Sequence, residues 1–581
     1  MRYAELAKIY DKLSSTSKRL EKTRHLAELI RESDELDELV LLVQGRIFPV
    51  WDTRAPGVAS KLLVKAIAAA TAAAPAKVEE EWRRTGDLGT VAANLISNRR
   101  QSSLFPRELT LSRVIENLRK LSGEEGSGSV DRKLSLIKEL LVDATPIEAK
   151  YIVRTILGDL RIGTAQGIVR DAIIWAFFGE ELGIEGSVPQ GKREEYNRIS
   201  GEIQRAYDIT NDFAQVIRAV RAGGLESLSD IDISVGKPIS SMLFIKAADV
   251  EDAFRIVGSP AAFEYKYDGF RIQLHKDRGK VTLFTRRLED VTSQFPDIAD
   301  LAVRSIDDDS CILDCEVLGV EKETGRYLPF QSISQRIKRK HDIGRISDEY
   351  PVELNIFDAL LIGGRSVLSI PFQRRREMIA SIVRQEKGKI VLAKQIITAS
   401  REEAEAFYAE SLASGQEGVM AKKLDAPYQP GARVGFGVKI KPVMEPLDLV
   451  IIGAEYGEGK RQGWLSSYSL ACWDENKEEL LEIGRASTGL KELESEGLSF
   501  PQMTALLKPL VKKTSGKYAE VEPKVVIEVF YEEIQRSPTN SSGYALRFPR
   551  ISRLREDKDI EGINDIDDVR LLYDKQRGRN L

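Results

Sequence analysis

Apolar positions recur every three to four residues from the start of the chain: Leu6, Tyr10, Leu13, Leu20, Leu26, Leu29 and Ile30. That period lines one face of a helix and predicts a helical region reaching to about residue 230. Ala66–Ala74 is a run of strong helix formers ended by Pro75. The stretch Ser122-Gly123-Glu124-Glu125-Gly126-Ser127-Gly128-Ser129 reads as a flexible loop between helices. Thr145-Pro146-Ile147-Glu148 then has a cap residue, proline at the first helical position and glutamate three after the cap, which marks a helix start. No repeat of 30 to 50 residues is evident, so a solenoid is not expected.

From about Val235 the pattern changes to short β-rich runs separated by Gly, Asp and Pro: Val281–Thr285, Cys311–Val317, Val352–Phe357, Ile390–Ala393 and Gly437–Ile440. The helical segment Arg401–Leu412 interrupts them, giving an α+β region. After Pro442-Val443-Met444-Glu445-Pro446, which suits a linker, strands are predicted at Asp448–Ala454, Ser467–Trp473, Leu480–Gly484, Val525–Tyr531 and Ala545–Ile551. Five strands in a segment of this size suit a small β-barrel such as the OB-fold. The expected organisation is multidomain: an all-α domain over 1–234, an α+β domain over 235–444 and a β-barrel over 445–581.

Composition narrows the class. At 65.0 kDa the chain is long enough for about three or four cores. With 42% hydrophobic and 30% charged residues it is globular rather than disordered. The longest apolar run, Ile173-Ile174-Trp175-Ala176-Phe177-Phe178, is far too short to span a bilayer, and the first residues lack a secretory h-region, so a cytoplasmic protein is expected. Three cysteines and three histidines are too few for a disulfide framework or a four-cysteine zinc site; Cys311 and Cys315 lie in an apolar strand and are expected in the core. A net charge of -4 neither advertises nor excludes nucleic acid, which needs a local basic face.

The candidate chemistry lies where charged residues interrupt predicted strands. In Glu264-Tyr265-Lys266-Tyr267-Asp268-Gly269-Phe270-Arg271, a strand would put Glu264, Lys266 and Asp268 on one face, either solvated or turned to a polar ligand. Asp314 and Glu316 share a face of another strand, and Lys439 and Lys441 share a face of a third. A lysine, several carboxylates and further cations together fit a nucleoside triphosphate with a divalent metal. Glu417 and Lys422 in Glu417-Gly418-Val419-Met420-Ala421-Lys422 would fall on opposite faces of a strand, so Glu417 is expected at a turn made by Gly415 and Gly418. Gly453-Ala454-Glu455-Tyr456-Gly457-Glu458-Gly459-Lys460-Arg461 has the wrong spacing for a phosphate-binding P-loop and reads as a hairpin turn.

Lys266-Tyr267-Asp268-Gly269-Phe270-Arg271 resembles the Lys-x-Asp-Gly-x-Arg motif of covalent nucleotidyltransferases: DNA ligases, RNA ligases and mRNA capping enzymes. The Asp314/Glu316 strand, Asn355-Ile356-Phe357-Asp358, the Glu417–Lys422 segment and Lys439-Ile440-Lys441 follow in that superfamily's order. Glu532-Glu533-Ile534-Gln535-Arg536-Ser537-Pro538, Leu546-Arg547-Phe548-Pro549-Arg550 and Arg555-Glu556-Asp557-Lys558 resemble ATP-dependent DNA ligases of archaea and eukaryotes. Gly158-Asp159-Leu160-Arg161-Ile162-Gly163 is similar to a signature of their helical DNA-binding domain.

The resemblance implies ATP and Mg2+ (or Mn2+) as cofactors, and sealing of nicked double-stranded DNA through an AMP adduct on Lys266. It implies that Glu264 reads the adenine amino group, Phe357 stacks on the base, Arg271 and Arg286 hold ribose or phosphate, and Glu316 lies at the ribose or metal. Glu417 is then a metal ligand; Lys422, Arg433, Lys439 and Lys441 bind the nucleotide, and Arg555 and Lys558 orient pyrophosphate. On sequence alone Phe357 reads as a core residue before a stacking one, and Arg287 rivals Arg286 equally. Expected DNA contacts are Arg161, the basic run around Arg336, Lys338 and Arg339, and Arg547 with Arg550; each is also readable as a solvated face. Gln101-Ser102-Ser103-Leu104-Phe105 resembles a sliding-clamp-binding peptide. A monomer without membrane association is expected. Gly437 departs from the aromatic residue that many relatives carry two before the first lysine of Lys-x-Lys. Where relatives open the catalytic domain with Pro-Met-Leu, this chain reads Lys237-Pro238-Ile239-Ser240-Ser241-Met242-Leu243. An RNA ligase or capping guanylyltransferase shares the lysine chemistry, and an inactive DNA-binding clamp is the non-enzymatic alternative. The long helical region and the Arg-Phe-Pro-Arg run count against the first two, and the intact Lys266 and carboxylates against the third.

Overall fold

The structure, a computed structural model, describes residues 1–52, 54–99, 107–338, 343–442, 444–457, 461 and 463–576; of residues 331, 335, 338, 343 and 346 only the backbone is described. Two compact units emerge. One comprises Met1–Phe244, Gly269–Ala393 and Leu424–Val434; the other comprises Ile245–Asp268, Lys394–Lys423 and the chain from Gly435 on.

The first unit begins with helices, from Tyr3–Ser15 to Phe213–Gly223. The predicted stripe is buried at Leu6, Tyr10, Leu13, Leu26, Leu29 and Ile30, whereas Leu20 is exposed. The helix over the alanine run stops at Thr71, with Ala72 left-handed, and Pro75 opens the next helix instead of ending this one. Pro75 fits there because the first turn needs no donor from it. Thr145 and Glu148 form the predicted capping box, and the helix Pro146–Leu157 ends at left-handed Gly158.

The same unit carries a sheet in the order Lys280–Thr285, Phe270–Asp277, Ser310–Val320 and Val352–Ile362, with a parallel edge strand Ile390–Leu392. Ile272, Leu274, Leu313, Cys315, Leu354 and Ile356 pack on the helix Pro296–Ser305. Cys311 and Cys315 are core residues, and burial pushes the Cys311 thiol up to about 12. His275 and Gln273 hold the segment leaving the helices: Gly236 donates its N–H to His275 Nδ1 at 3.0 Å, and Ile239 donates to Gln273 Oε1 at 2.8 Å.

In the second unit the strands Val419–Lys423 and Ala261–Tyr265 lie centrally, flanked by Arg433–Ile440 and Gln395–Thr398. The barrel follows, with strands Leu447–Tyr456, Leu465–Asp474 and Glu479–Ala486 in antiparallel succession. It contains the unpredicted strands Val511–Ser515, Tyr518–Val521 and Glu533–Arg536. The strand predicted over Ala545–Ile551 is two strands, Tyr544–Arg547 and Arg550–Leu554. They are separated by left-handed Phe548 and by Pro549, which has no ladder donor. The first hairpin occupies the near-P-loop region, of which residues 458–460 lie outside the described set. No helix among the described residues is long and apolar enough to cross a membrane.

Candidate active site

The strand Ala261–Tyr265 stops one residue short of Lys266, so the expected strand over Glu264–Asp268 is corrected. Pairing continues irregularly for one more step. The Lys266 N–H donates to Gly418 O at 2.8 Å, and the Glu417 N–H donates to Lys266 O at 2.9 Å. The Asp268 N–H then turns to the Gln416 side chain at 3.1 Å. Lys266 thus leaves the sheet with its backbone N–H and C=O both held by the Glu417–Gly418 segment. Gly418 is required here: its φ is +132°, and a Cβ would meet Ile440 O at 2.2 Å. Glu417 sits before the strand Val419–Lys423, at the expected turn.

This turn gathers charge. The Lys266 ammonium lies 2.5 Å from Glu417, and Lys441 lies 2.7 Å from the same carboxylate. Burial pushes the Glu417 carboxyl up, but the two ammoniums outweigh it and hold the group well below the usual carboxylate range. Lys441 also reaches Glu532 at 3.1 Å. Burial lowers its proton affinity, and the Glu417 and Glu532 carboxylates more than restore it. Glu264, in the strand interior, pairs with Lys422 at 2.5 Å and accepts from Gln395 at 2.9 Å. Tyr265 packs on Phe407 and Tyr267, and the Tyr267 hydroxyl accepts from Lys394 N–H, so the two tyrosines brace the strand end. Lys439 lies in the strand Arg433–Ile440, opposite Met420.

Arg547 is a correction. Expected on a DNA-facing surface of the barrel, its guanidinium lies 3.2 Å from Glu533, 3.3 Å from Glu417 and 3.5 Å from Asp268. Three carboxylates in a half-buried site attract a guanidinium more strongly than water does. A cavity of about 270 Å³ adjoins it, lined by Glu417, Lys441, Glu532, Glu533 and Arg547 among others. Arg555 and Lys558 meet on Asp448, at 2.6 and 2.7 Å. Arg550 is exposed.

In the first unit, Arg271 and Gln273 stand opposite Glu316 and Asp314 in adjacent antiparallel strands. Gly269 allows this approach, since a Cβ there would lie 2.7 Å from both Val317 O and Glu316 Cγ. Arg271 donates to Asp314 at 2.8 Å, and its guanidinium carbon is 5.3 Å from the Phe357 ring centre. Burial opposes the Arg271 charge, but Asp314 more than compensates and raises its proton affinity. Phe357 is half-buried, and Arg286, Arg287 and Arg433 are exposed. Arg271 Nε and Asp314 Oδ1 are buried without a hydrogen-bond partner among the described residues. Unsatisfied buried groups beside a half-buried aromatic ring fit a polar, planar ligand such as a nucleoside.

Among the expected DNA contacts, Arg161 is exposed, left-handed at φ 55°, and 2.6 Å from Asp159. Arg336 is a second correction. Its side chain is 1% exposed, paired with Asp297, donating to Gln294 O at 3.0 Å, and set over the Phe295 ring. It is a core cation whose long stem reaches Asp297, Gln294 O and Tyr350 O, not a surface contact. The Lys338 side chain, Arg339 and the segment Gln101–Phe105 lie outside the described residues. Gln416 and Tyr428 were not singled out from sequence; Gln416 is adjacent to a motif, while Tyr428 lies in an irregular loop that carries no periodic signal. Among the described residues no group of three His, Cys, Asp or Glu side chains is arranged to hold a metal.

Known proteins match the sequence along the whole chain. Residues 2–174 match the family described as DNA ligase N terminus, 241–441 the ATP dependent DNA ligase domain and 461–558 the ATP dependent DNA ligase C terminal region. A DNA ligase of Nanoarchaeum equitans is 43% identical over 581 residues, covering 100% of this chain and 99% of that protein. The chain belongs to the ATP-dependent DNA ligases. A DNA ligase of Thermococcus fumicolans is 42% identical over 579 residues, 99% of each chain. The solved structure described as Pmar-Lig_Pre shares the ligase's fold, with a TM-score of 0.56 and 14% identity, covering 95% of this chain and 99% of that one.

Proposed function

We propose that Lys266 is the nucleophile of this ATP-dependent DNA ligase. The observation that carries the reading is the position of Lys266: it leaves its strand on a doubly held backbone, beside Glu417 and Lys441. Its ammonium first gives one proton to solvent; Nζ then bonds to the α-phosphorus of ATP as the bond to pyrophosphate breaks, and a second proton leaves the nitrogen for solvent. The AMP then passes to the 5'-phosphate at a nick in double-stranded DNA, freeing Lys266. The 3'-hydroxyl attacks that phosphate, AMP leaves, and the strand is sealed.

By resemblance to the family, Arg271, Glu316 and Phe357 contact the ribose and base, Arg286 and Arg433 bind the nucleotide, and Glu264 reads the adenine. Lys422, Lys439 and Lys441 meet phosphate oxygens. The family implies a divalent metal, and Glu417 with Asp268, converging on one guanidinium, supplies the hard oxygen donors that suit Mg2+ or Mn2+. When bound, such an ion neutralises charge on the phosphates. Arg555 and Lys558 meet pyrophosphate after leaving Asp448. Arg161 and Arg550 meet DNA phosphates, whose contacts set affinity and not sequence. We assign 1–234, 235–444 and 445–581 as DNA-binding, adenylation and barrel domains of a cytoplasmic monomer, with Gln101–Phe105 as a sliding-clamp peptide.

The test is incubation with α-labelled ATP followed by a chase with nicked duplex. Label enters the protein, moves to DNA, and is absent from protein in Lys266→Ala. Label retained on Lys266→Ala would refute the assignment.

A further inference from the structure

Beside Arg271 lies a buried tyrosine whose bonds lead away from the proposed nucleotide site. Tyr428 belongs to the segment Leu424–Val434, which connects the strand bearing Lys422 to the strand bearing Lys439. Its hydroxyl donates to Asp314 Oδ2 at 2.6 Å. The same oxygen of Asp314 receives Arg271 Nη2 at 2.8 Å, and Arg271 Nη2 also donates to the tyrosine oxygen at 3.3 Å. Tyr428 accepts one further bond, at 3.1 Å, from the Met242 N–H. One donor and two acceptor positions are thereby used, the full capacity of a phenol.

The tyrosine is buried and is held at its backbone as well. Its N–H donates to Leu368 O at 2.8 Å. The Arg375 guanidinium lies 5.8 Å from its ring centre and is paired with Asp358 at 2.7 Å. An arginine has many rotamers, so a single carboxylate contact leaves its head group free to pivot. Two acceptors fixed relative to one another select one orientation, the one that sets the guanidinium beside Phe357.

We infer that Tyr428 is a positioning residue for nucleotide binding: with Asp314 it locks Arg271 against Phe357, and through Met242 it anchors that lock to the segment leaving the helices. This rests on the reading of Arg271 as a nucleotide contact. Tyr428 does not touch ATP; it sets the geometry in which Arg271 does, so its loss weakens ATP capture without removing a reacting group.

Tyr428→Phe keeps the ring and removes only the hydroxyl. Rates of self-adenylation across ATP concentrations, with thermal unfolding in parallel, give the test. A hydrogen bond to a charged pair predicts a KM for ATP raised about tenfold and a maximal rate within about twofold. Arg271→Ala raises KM by at least as much, and the double variant Arg271→Ala/Tyr428→Phe adds nothing further. Asp314→Asn, measured in the same way, reproduces the KM effect by weakening the other half of the lock. A wild-type KM in Tyr428→Phe beside an impaired Arg271→Ala overturns the positioning role. So does a fall in thermal stability and maximal rate with KM unchanged, the signature of a purely structural residue. A wild-type KM in Arg271→Ala overturns the nucleotide-contact reading itself.

Discussion

The Lys266 ammonium lies 2.5 Å from the Glu417 carboxylate. A free lysine with a pKa of about 10.4 is protonated at neutral pH and has no lone pair to attack with. A cation that takes over Glu417 releases Lys266 from its partner. Glu417→Gln therefore raises the Mg2+ concentration for half-maximal self-adenylation by about tenfold. Metal titrations with labelled ATP measure this, and an unchanged midpoint would count against Glu417 as a ligand.

Arg547 binds the same carboxylate together with Asp268 and Glu533. It belongs to the barrel, whereas the proposed nucleophile is Lys266. Arg547→Ala is expected to slow sealing about tenfold or more, the worth of a charged hydrogen bond, and to leave self-adenylation intact. Single-turnover assays of the two steps separate them; equal losses in both would refute the split.

Lys22 lies in the helical region, buried, with its ammonium bonded to Ile162 O and, at 3.3 Å, to Gly163 O. It braces the loop that carries Arg161. Lys22→Met keeps the stem and loses the bonds, so affinity for nicked duplex drops about tenfold while self-adenylation is unchanged. Fluorescence anisotropy against labelled duplex reads the first quantity. Undiminished DNA affinity would remove Lys22 from the argument.

His275 is buried, and desolvation lowers its pKa from 6.5 to about 3. Between those values the unfolded chain binds a proton that the folded imidazole refuses. The contribution to stability is therefore complete above about pH 6.5 and declines by up to about 1.4 kcal/mol per pH unit as pH falls towards 3. Unfolding of His275→Gln across that range should show a correspondingly shallower pH dependence. Parallel curves for the two proteins would disprove it.

The strands carrying motifs were legible because charge interrupts an apolar pattern there: Asp314 and Glu316 on one strand, and Lys439 on another with Lys441 one residue past its end. The cap at Thr145 was equally plain, being local. Charge runs were less informative. Arg336 belongs to the densest basic run yet is a core residue, because burial depends on Asp297 and Phe295, distant in sequence. Arg547 shows the converse, a motif residue whose partners Asp268 and Glu417 come from far earlier in the chain. The end of the strand at Tyr265 could not be read because it follows from Gln416 capturing the Asp268 N–H.

The strand Ala261–Tyr265 finds both of its neighbours, Gln395–Thr398 and Val419–Lys423, far later in the sequence. On a translating ribosome making about 5–20 residues per second, that strand waits roughly 8 to 30 seconds for its partners to be made. For that interval the nascent chain carries Lys266 without Glu417 or Lys441 beside it. On the proposed role of Lys266, adenylation is gained late in synthesis, and a message truncated before Gly418 yields the helices and the sheet of Phe270–Ile362 without it.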